Sequence, residues 1–425
     1  MKKKNISNIS YVNKINKDIE QLEKSYIKTH YKITEKHKQS IKEILEEIKQ
    51  YNNKNITPDN NFWKKLHKLS TNPGGFLSIQ NRKVIYPFIL NSLNKDDKYK
   101  IIQEKITKEK KNKDELTVKN DCLRSVFFTI LKEEDKLNKY KTTEKESADI
   151  YIKELMNFTK ECLGNYTYFN YYQGYQELSL YFMIIFGRKE GVKYMTIFSK
   201  IFLDYVLNKK YQINYEMVID ILNDCCNLIN KKVSIIINKI TKTKPYYSLP
   251  WLITLFAHSN NNLFHQLILL DYFITSNISH VFFLSANIIV NEFNKIATKF
   301  NIENPSDEFI YMEMFLKHFQ NLKINLIDMN EVIKSNEKIN QKSFEDIINL
   351  KKRKIKNKNN QGTLDLMNNK FYDVLFPAAP ASFKLPQLVS RHIFRPYSGL
   401  GCLFHDSPII PSVSSIFPNT IISPK

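Results

Sequence analysis

Glycine is scarce: nine residues in a chain of 425. Six of the 14 prolines are spread over the first 370 residues. A β-sandwich or barrel needs turn residues every 8–12 positions or so, and this chain does not supply them. Helices tolerate such spacing. With 42% hydrophobic and 13% aromatic residues there is enough apolar material for a sizeable core, which argues against a chain that stays unfolded throughout. The spacing predicts an all-α fold, an irregular array of about 12–16 helices with no alternating strand run and no internal repeat.

Charge and cysteine content narrow the function classes. The formal net charge is +21, carried mostly by lysine, and such a field favours acidic partners. The lysines are scattered along the chain with asparagine and isoleucine and form no stripe. The electrostatic footprint of a nucleic-acid binder is therefore not apparent, and no nucleic-acid partner is expected. Five cysteines, Cys122, Cys162, Cys225, Cys226 and Cys402, form no C-x-x-C pair, so neither a disulfide framework nor a zinc site is suggested. The nine histidines include no metal-binding H-E-x-x-H pattern. No apolar run approaches the roughly 18 residues of a membrane span, and the basic N-terminus lacks the apolar segment of a signal peptide. A reducing, cytoplasmic setting is expected.

Periodicity and composition suggest four regions. Residues 1–58 read as a lysine-rich helical extension, with a helix or helical hairpin over 14–50. A main helical domain spans 59–345. Within it "TNPGG" (71–75) reads as a turn, and Ile79, Val84 and Ile85 share one helical face that Pro87 kinks or ends early. Residues 94–113 read as a solvated connector. Leu123, Val126, Phe127 and Ile130 supply the apolar stripe of the next helix. Further helices are expected near 146–162, 170–187, 190–206, 212–240, 249–257, 261–276, 278–298, 307–320 and 341–356. Residues 346–376 form a basic helix end and linker. Eight prolines and only two lysines fall in 377–425, which reads as an irregular, disordered tail.

Three short patterns carry the functional signal. "YYQG" (171–174) followed by Leu178 is Y-x-Q-G-x-x-x-L. About fifty residues upstream, "VKNDCLR" holds Val118, Asp121 and Arg124, and further upstream "RKVIYPFI" holds Arg82, Tyr86 and Ile89. In this order they resemble the signature motifs of the TBC-domain GTPase-activating proteins, which act on Rab GTPases. Tyr86 stands where that family usually has tryptophan. "SLPWLITLFAH" (248–258) and "LILLDYFITSN" (267–277) are similar to later stretches of the family, with Trp251, Phe256 and Asp271 in place. The resemblance covers roughly residues 60–340 and is nearest to a subgroup linked to the endoplasmic reticulum. Members of that subgroup often carry a C-terminal membrane anchor, which is not found here.

The resemblance implies a protein that stimulates GTP hydrolysis by a Rab-type small GTPase in its GTP form, and so regulates vesicle traffic. Arg124 is then an arginine finger and Gln173 a glutamine finger, with Asp121, Arg82, Tyr171 and Gly174 supporting them or contacting the GTPase. The chain needs no cofactor of its own, because GTP and Mg²⁺ are bound by the substrate GTPase; it contains no phosphate-binding glycine loop. Location would be cytoplasmic, peripheral to endoplasmic-reticulum or Golgi membranes, with contact to anionic lipid through the basic run at 351–360. The chemistry suits the residue types. Arginine is permanently charged and matches phosphate oxygens with a planar fork, and a glutamine amide donates and accepts at once. Read singly, Arg124 is a helix-flank ion-pair residue, Gln173 a polar residue at a helix start and Trp251 simple core packing. A catalytically inactive Rab-binding module or a helical scaffold of the same fold is the alternative.

Overall fold

The computed structural model describes residues 2–94, 115–126, 144–166, 169–207, 215–241, 246–260, 262–276, 279–300, 317–319, 322 and 329–336. They are predominantly helical and include no β-strand. All lie within one compact unit, Met1–Lys384. The expected helices at 341–356, most of 307–320, the basic run at 351–360 and the region 377–425 fall outside the described residues.

The chain begins with a helical hairpin, α1 (Lys2–His30) and α2 (Glu35–Lys54). Thr34 caps α2 by accepting a hydrogen bond from the backbone N–H of His37, and Asn55 ends it in the left-handed conformation. Such caps satisfy amide and carbonyl groups that the helix itself leaves unpaired. From Lys14 onward the lysines face solvent, but Val12, Ile19 and Ile27 of α1 and Ile41, Ile44 and Ile48 of α2 are buried. This hairpin was expected as an exposed extension. Its inner face instead shares the central core with the rest of the molecule.

Next come α3 (Asn60–Ser70), capped by Asp59, and α4 (Ile79–Asn94). The 71–78 link between them turns sharply, with positive φ at Gly74 and Gly75. Of the two outcomes expected at Pro87, an end to the helix is excluded, since α4 runs on to Asn94. Burial of Ile85, Tyr86, Phe88, Ile89, Leu90 and Leu93 offsets the hydrogen bond that proline removes. Nor does Val84 share the inner face; it is 40% exposed, and Arg82 takes the inward position.

Helix α5 (Glu115–Val126) corrects the apolar stripe in the same way. Leu123 is 51% exposed. The inward residues are Val118, Asp121, Cys122, Ser125 and Val126; Phe127 and Ile130 lie outside the described residues. Helix α6 (Glu144–Gly164) leads to α7 (Tyr175–Phe202). The latter is two helical segments joined at Gly187, whose φ of 71° and ψ of −169° break the helix. That break matches the two helices read at 170–187 and 190–206. Tyr175, Leu178, Tyr181, Phe182, Met183, Ile184 and Ile185 are all buried, and α7 packs against α1, α4, α5 and α6.

Short α8 (Asp204–Leu207) precedes α9 (Tyr215–Ile229) and α10 (Lys231–Thr241). Asn230 separates the last two where one helix was expected; its side chain accepts from Val233 N and caps α10. Helix α11 (Leu249–Ile253) is followed by a single 3₁₀ turn, Ala257–Ser259. Helix α12 (Leu263–Ile274) is buried at every residue. Helices α13 (Ser279–Phe300) and α14 (Met329–Asn336) pack together.

A buried ion cluster fastens three of these helices. Arg82 of α4 is fully buried. Its Nε and Nη2 donate to Asp271 of α12 at 2.7 and 2.6 Å, and its Nη1 to Glu23 of α1 at 2.5 Å. Asp271 also accepts from Phe76 N and Tyr86 Oη, both at 2.8 Å, and Glu23 accepts from Ile79 N at 2.6 Å. Tyr86 thus supplies a hydroxyl that the cluster uses. A Cβ at Gly75 would stand 2.3 Å from Asp271 Oδ2, so only glycine fits there.

Burial disfavours the Arg82 charge, yet the Asp271 and Glu23 carboxylates outweigh it and hold the guanidinium protonated, above its ordinary range. Burial pushes both carboxyls up, against the pull of Arg82. Removing one member leaves a buried charge uncompensated. Asp271→Ala is expected to cost about 3–5 kcal/mol. Tyr86→Phe, which removes a single donor, is expected to cost about 1–2 kcal/mol. Chemical denaturation of the two variants checks both values.

Candidate functional site

Helix α5 carries Asp121 and Arg124 one turn apart, the first turned inward and the second outward. Asp121 is buried, whereas the Arg124 side chain is 54% exposed. Arg124 Nη2 donates to Asp121 Oδ1. The other oxygen of Asp121, Oδ2, accepts from the hydroxyl of Tyr171 at 2.6 Å. One buried carboxylate therefore joins the arginine to the loop just ahead of α7. Burial, with Asp121 alongside, raises the Tyr171 pKa far above its usual value, so this hydroxyl stays a donor.

A second residue of α7 locks the same loop. Gln176, also buried, places Oε1 2.7 Å from the Tyr171 hydroxyl and accepts from Gly174 N at 3.0 Å. Its Nε2 donates back to Ser125 Oγ on α5 at 3.2 Å. The Tyr172 hydroxyl donates to Ile253 O at 2.8 Å, fixing the other side of the loop. Gln173 lies between these two anchored neighbours and is itself half-buried.

Gly174 is needed on conformational grounds. Its φ of 103° lies in a region that L side chains rarely adopt, and a Cβ there would meet Thr254 Cγ2 at 2.4 Å. Thr254 belongs to the turn after α11, where Leu255 and Phe256 both have positive φ. That unusual backbone is held by Gln266 of α12, whose Nε2 donates to Leu255 O at 2.8 Å, while its Oε1 accepts from Asn260 at 3.1 Å.

The same turn delivers His258. Its Nδ1 lies 2.9 Å from Glu177 Oε1 on α7. Glu177 Oε2 is buried with no hydrogen-bond partner among the described residues. The Glu177 carboxylate raises the His258 pKa against the effect of burial, and the nearby Arg124 charge opposes it. His258, Glu177, Arg124 and Asp121 are therefore within electrostatic reach of one another.

Of the six residues singled out from the sequence, Asp121, Arg124, Tyr171 and Gly174 meet through this hydrogen-bond network, and Gln173 lies on its loop. Arg82 does not join them; it is fully buried in the ion cluster with Glu23 and Asp271. Trp251 is buried and stacks on Phe256, with ring centroids 5.7 Å apart. Sequence reasoning missed Ser125, Gln176, Glu177, Thr254 and His258. A buried glutamine two residues after the glycine had no recognisable pattern, and His258 meets a residue 81 positions away.

Among the described residues, no group of histidine, cysteine and acidic side chains is arranged to hold a metal ion. Cys122, Cys162, Cys225 and Cys226 are buried free thiols, and burial pushes Cys122 up to about 12, far from a reactive thiolate. No helix among the described residues is long and apolar enough to cross a membrane. A scan against protein-family models matches none, and a search of curated proteins finds no significant match.

Two variants test the site's construction. Gly174→Ala is expected to cost about 1–3 kcal/mol, from strain and the Thr254 contact together, measured by denaturant unfolding. For His258 the folded-state pKa is raised. Its pairing therefore stabilises the fold fully below the unfolded value near 6.5 and loses that contribution as pH rises through the folded value. His258→Gln is expected to cost about 1–2 kcal/mol at pH 6. The difference should shrink when the same unfolding experiment is repeated near pH 9.

Proposed function

We propose that the chain is a GTPase-activating protein for a Rab-type small GTPase, with Arg124 and Gln173 supplied in trans to the bound GTP. The observation that carries this reading is the shared carboxylate of Asp121. It bonds the exposed Arg124 on one oxygen and the Gln173 loop, through Tyr171, on the other. Arg124 and the loop that bears Gln173, about fifty residues apart, are thereby held in one frame, as a two-finger mechanism requires. The motif resemblance supports the same assignment.

GTP hydrolysis on a small GTPase is slow because charge on the transferring phosphoryl is poorly neutralised and the attacking water poorly placed. An arginine supplied in trans is worth roughly 10³–10⁵ in rate. Arg124 would place its delocalised charge and forked donors on phosphate oxygens as charge develops there. The Gln173 amide would orient the water, donating and accepting without adding charge. Anchoring on α5 and on the clamped loop limits the ordering entropy lost when the GTPase docks. Gly174, Gln176 and Tyr171 act as positioning residues. Buried Arg82 supports the frame from within. GTP and Mg²⁺ remain with the GTPase, and the chain has no GTPase activity of its own.

Phosphate release from a panel of GTP-loaded Rab proteins tests the proposal. Stimulation is expected for at least one member. Arg124→Ala should remove about 10³-fold of it or more, and Gln173→Ala should abolish it. Arg124→Lys should fail nearly as badly, because an ammonium lacks the planar fork. Undiminished stimulation by either alanine variant rules out the two-finger mechanism. Tight binding of GTP-loaded Rab without stimulated release would instead identify an inactive binding module.

A further inference from the structure

Away from the Asp121–Gln173 region, a cleft of about 470 Å³ opens between the link joining α1 to α2, the start of α2, the end of α3 and the following turn. Four lysines line it: Lys32, Lys36, Lys65 and Lys68. No aspartate or glutamate is among the lining residues. Lys65 is compensated by Glu47, with Glu43 at 3.9 Å. Among the described residues Lys32, Lys36 and Lys68 make no ion pair, although other exposed lysines of α2 do, as with Lys38–Glu35 and Lys49–Glu46. Three uncompensated ammonium groups around one concavity repel each other, and low-dielectric walls focus their field into it. The N-terminus of α2 lies on the same side, already capped by Thr34 and carrying Glu35 in its first turn.

The cleft is also chemically furnished. Ser40 and Asn72 line it beside the lysines and offer hydroxyl and amide groups to a polar ligand. Its rim is stiffened by His37, which is buried between Gly75 O at 2.8 Å and Asn72 Nδ2 at 3.1 Å. Burial lowers the His37 pKa, so this histidine acts as a neutral strut and the positive charge comes from the lysines. The volume falls in the range of small-ligand sites, about 300–1,000 Å³. A single inorganic phosphate would leave most of it unfilled.

We propose that this cleft binds a small anion carrying two or more phosphate groups, either the headgroup of a phosphoinositide or a free polyphosphate. The site is separate from Arg124 and Gln173, and its binding test is independent of any GTPase reaction.

The full-length protein would be titrated calorimetrically with inositol trisphosphate and with pyrophosphate. It would also be sedimented with phosphatidylcholine vesicles containing phosphatidylinositol bisphosphate or, at matched charge, phosphatidylserine. Saturable one-site binding of inositol trisphosphate is expected, weakening as salt rises. The pair Lys36→Glu and Lys68→Glu should weaken it about tenfold or more, and Lys36→Gln with Lys68→Gln should weaken it less. The control pair Lys153→Glu and Lys189→Glu, exposed on other helices, makes the same change in net charge and should leave binding intact. Preference for the bisphosphate vesicles, competed by inositol trisphosphate, identifies a lipid headgroup. Binding of the soluble anions without vesicle preference identifies a free polyphosphate. Absence of saturable binding to either soluble anion, or equal loss in the control pair, overturns the proposal.

Discussion

A fully buried guanidinium is among the least tolerable groups a protein can contain unless each of its nitrogens finds a partner. Arg82 meets that condition by drawing two distant parts of the chain, Glu23 of α1 and Asp271 of α12, onto its own helix α4. Backbone amides of Phe76 and Ile79 complete the carboxylates' coordination. Desolvation takes back much of the attraction in such a cluster, so its net stabilisation is modest. Its consequence is specificity. Slippage of α1, α4 or α12 by one turn would strand a charge in the core, whereas the surrounding isoleucines and phenylalanines would accept many registers.

The region around Arg124 depends on that register. Helix α12 carries both Asp271 and Gln266. The latter holds the turn at Leu255 and Phe256 in a left-handed backbone that those residues would not adopt unaided. The turn in turn presents Thr254 against Gly174 and His258 against Glu177. From the other side, Asp121 and Ser125 of α5 hold Tyr171 and Gln176. The loop containing Gln173 is thus gripped from two directions, by polar contacts that are largely buried.

The helical class, the turn at 71–75 and the break near 187 were legible because they follow from local rules: period, caps and the placement of rare glycines. The inward faces of α4 and α5 were not. Both were read by their apolar residues, Val84 and Leu123, and both of these turned out exposed because Arg82, Asp121 and Ser125 take the inward positions. A hydrophobic-periodicity argument assumes that polar residues face out, and it fails where buried polar groups pair across the fold. The Arg82 cluster joins residues nearly 190 positions apart, and His258 finds Glu177 across 81. No spacing within one segment encodes such pairs.

The two arginines of the motif region show how one side chain is put to opposite uses. Arg82 has two carboxylates around it and no exposure, so its charge is consumed internally. Arg124 has one carboxylate, and that carboxylate is already shared with Tyr171. The pair aims Arg124 outward, and about half its side-chain surface remains open to solvent. Substituting a second acid nearby would improve the ion pair and spoil the property that distinguishes this residue. Paired to a single buried carboxylate, Arg124 keeps an outward-facing surface, whereas the caged Arg82 has none.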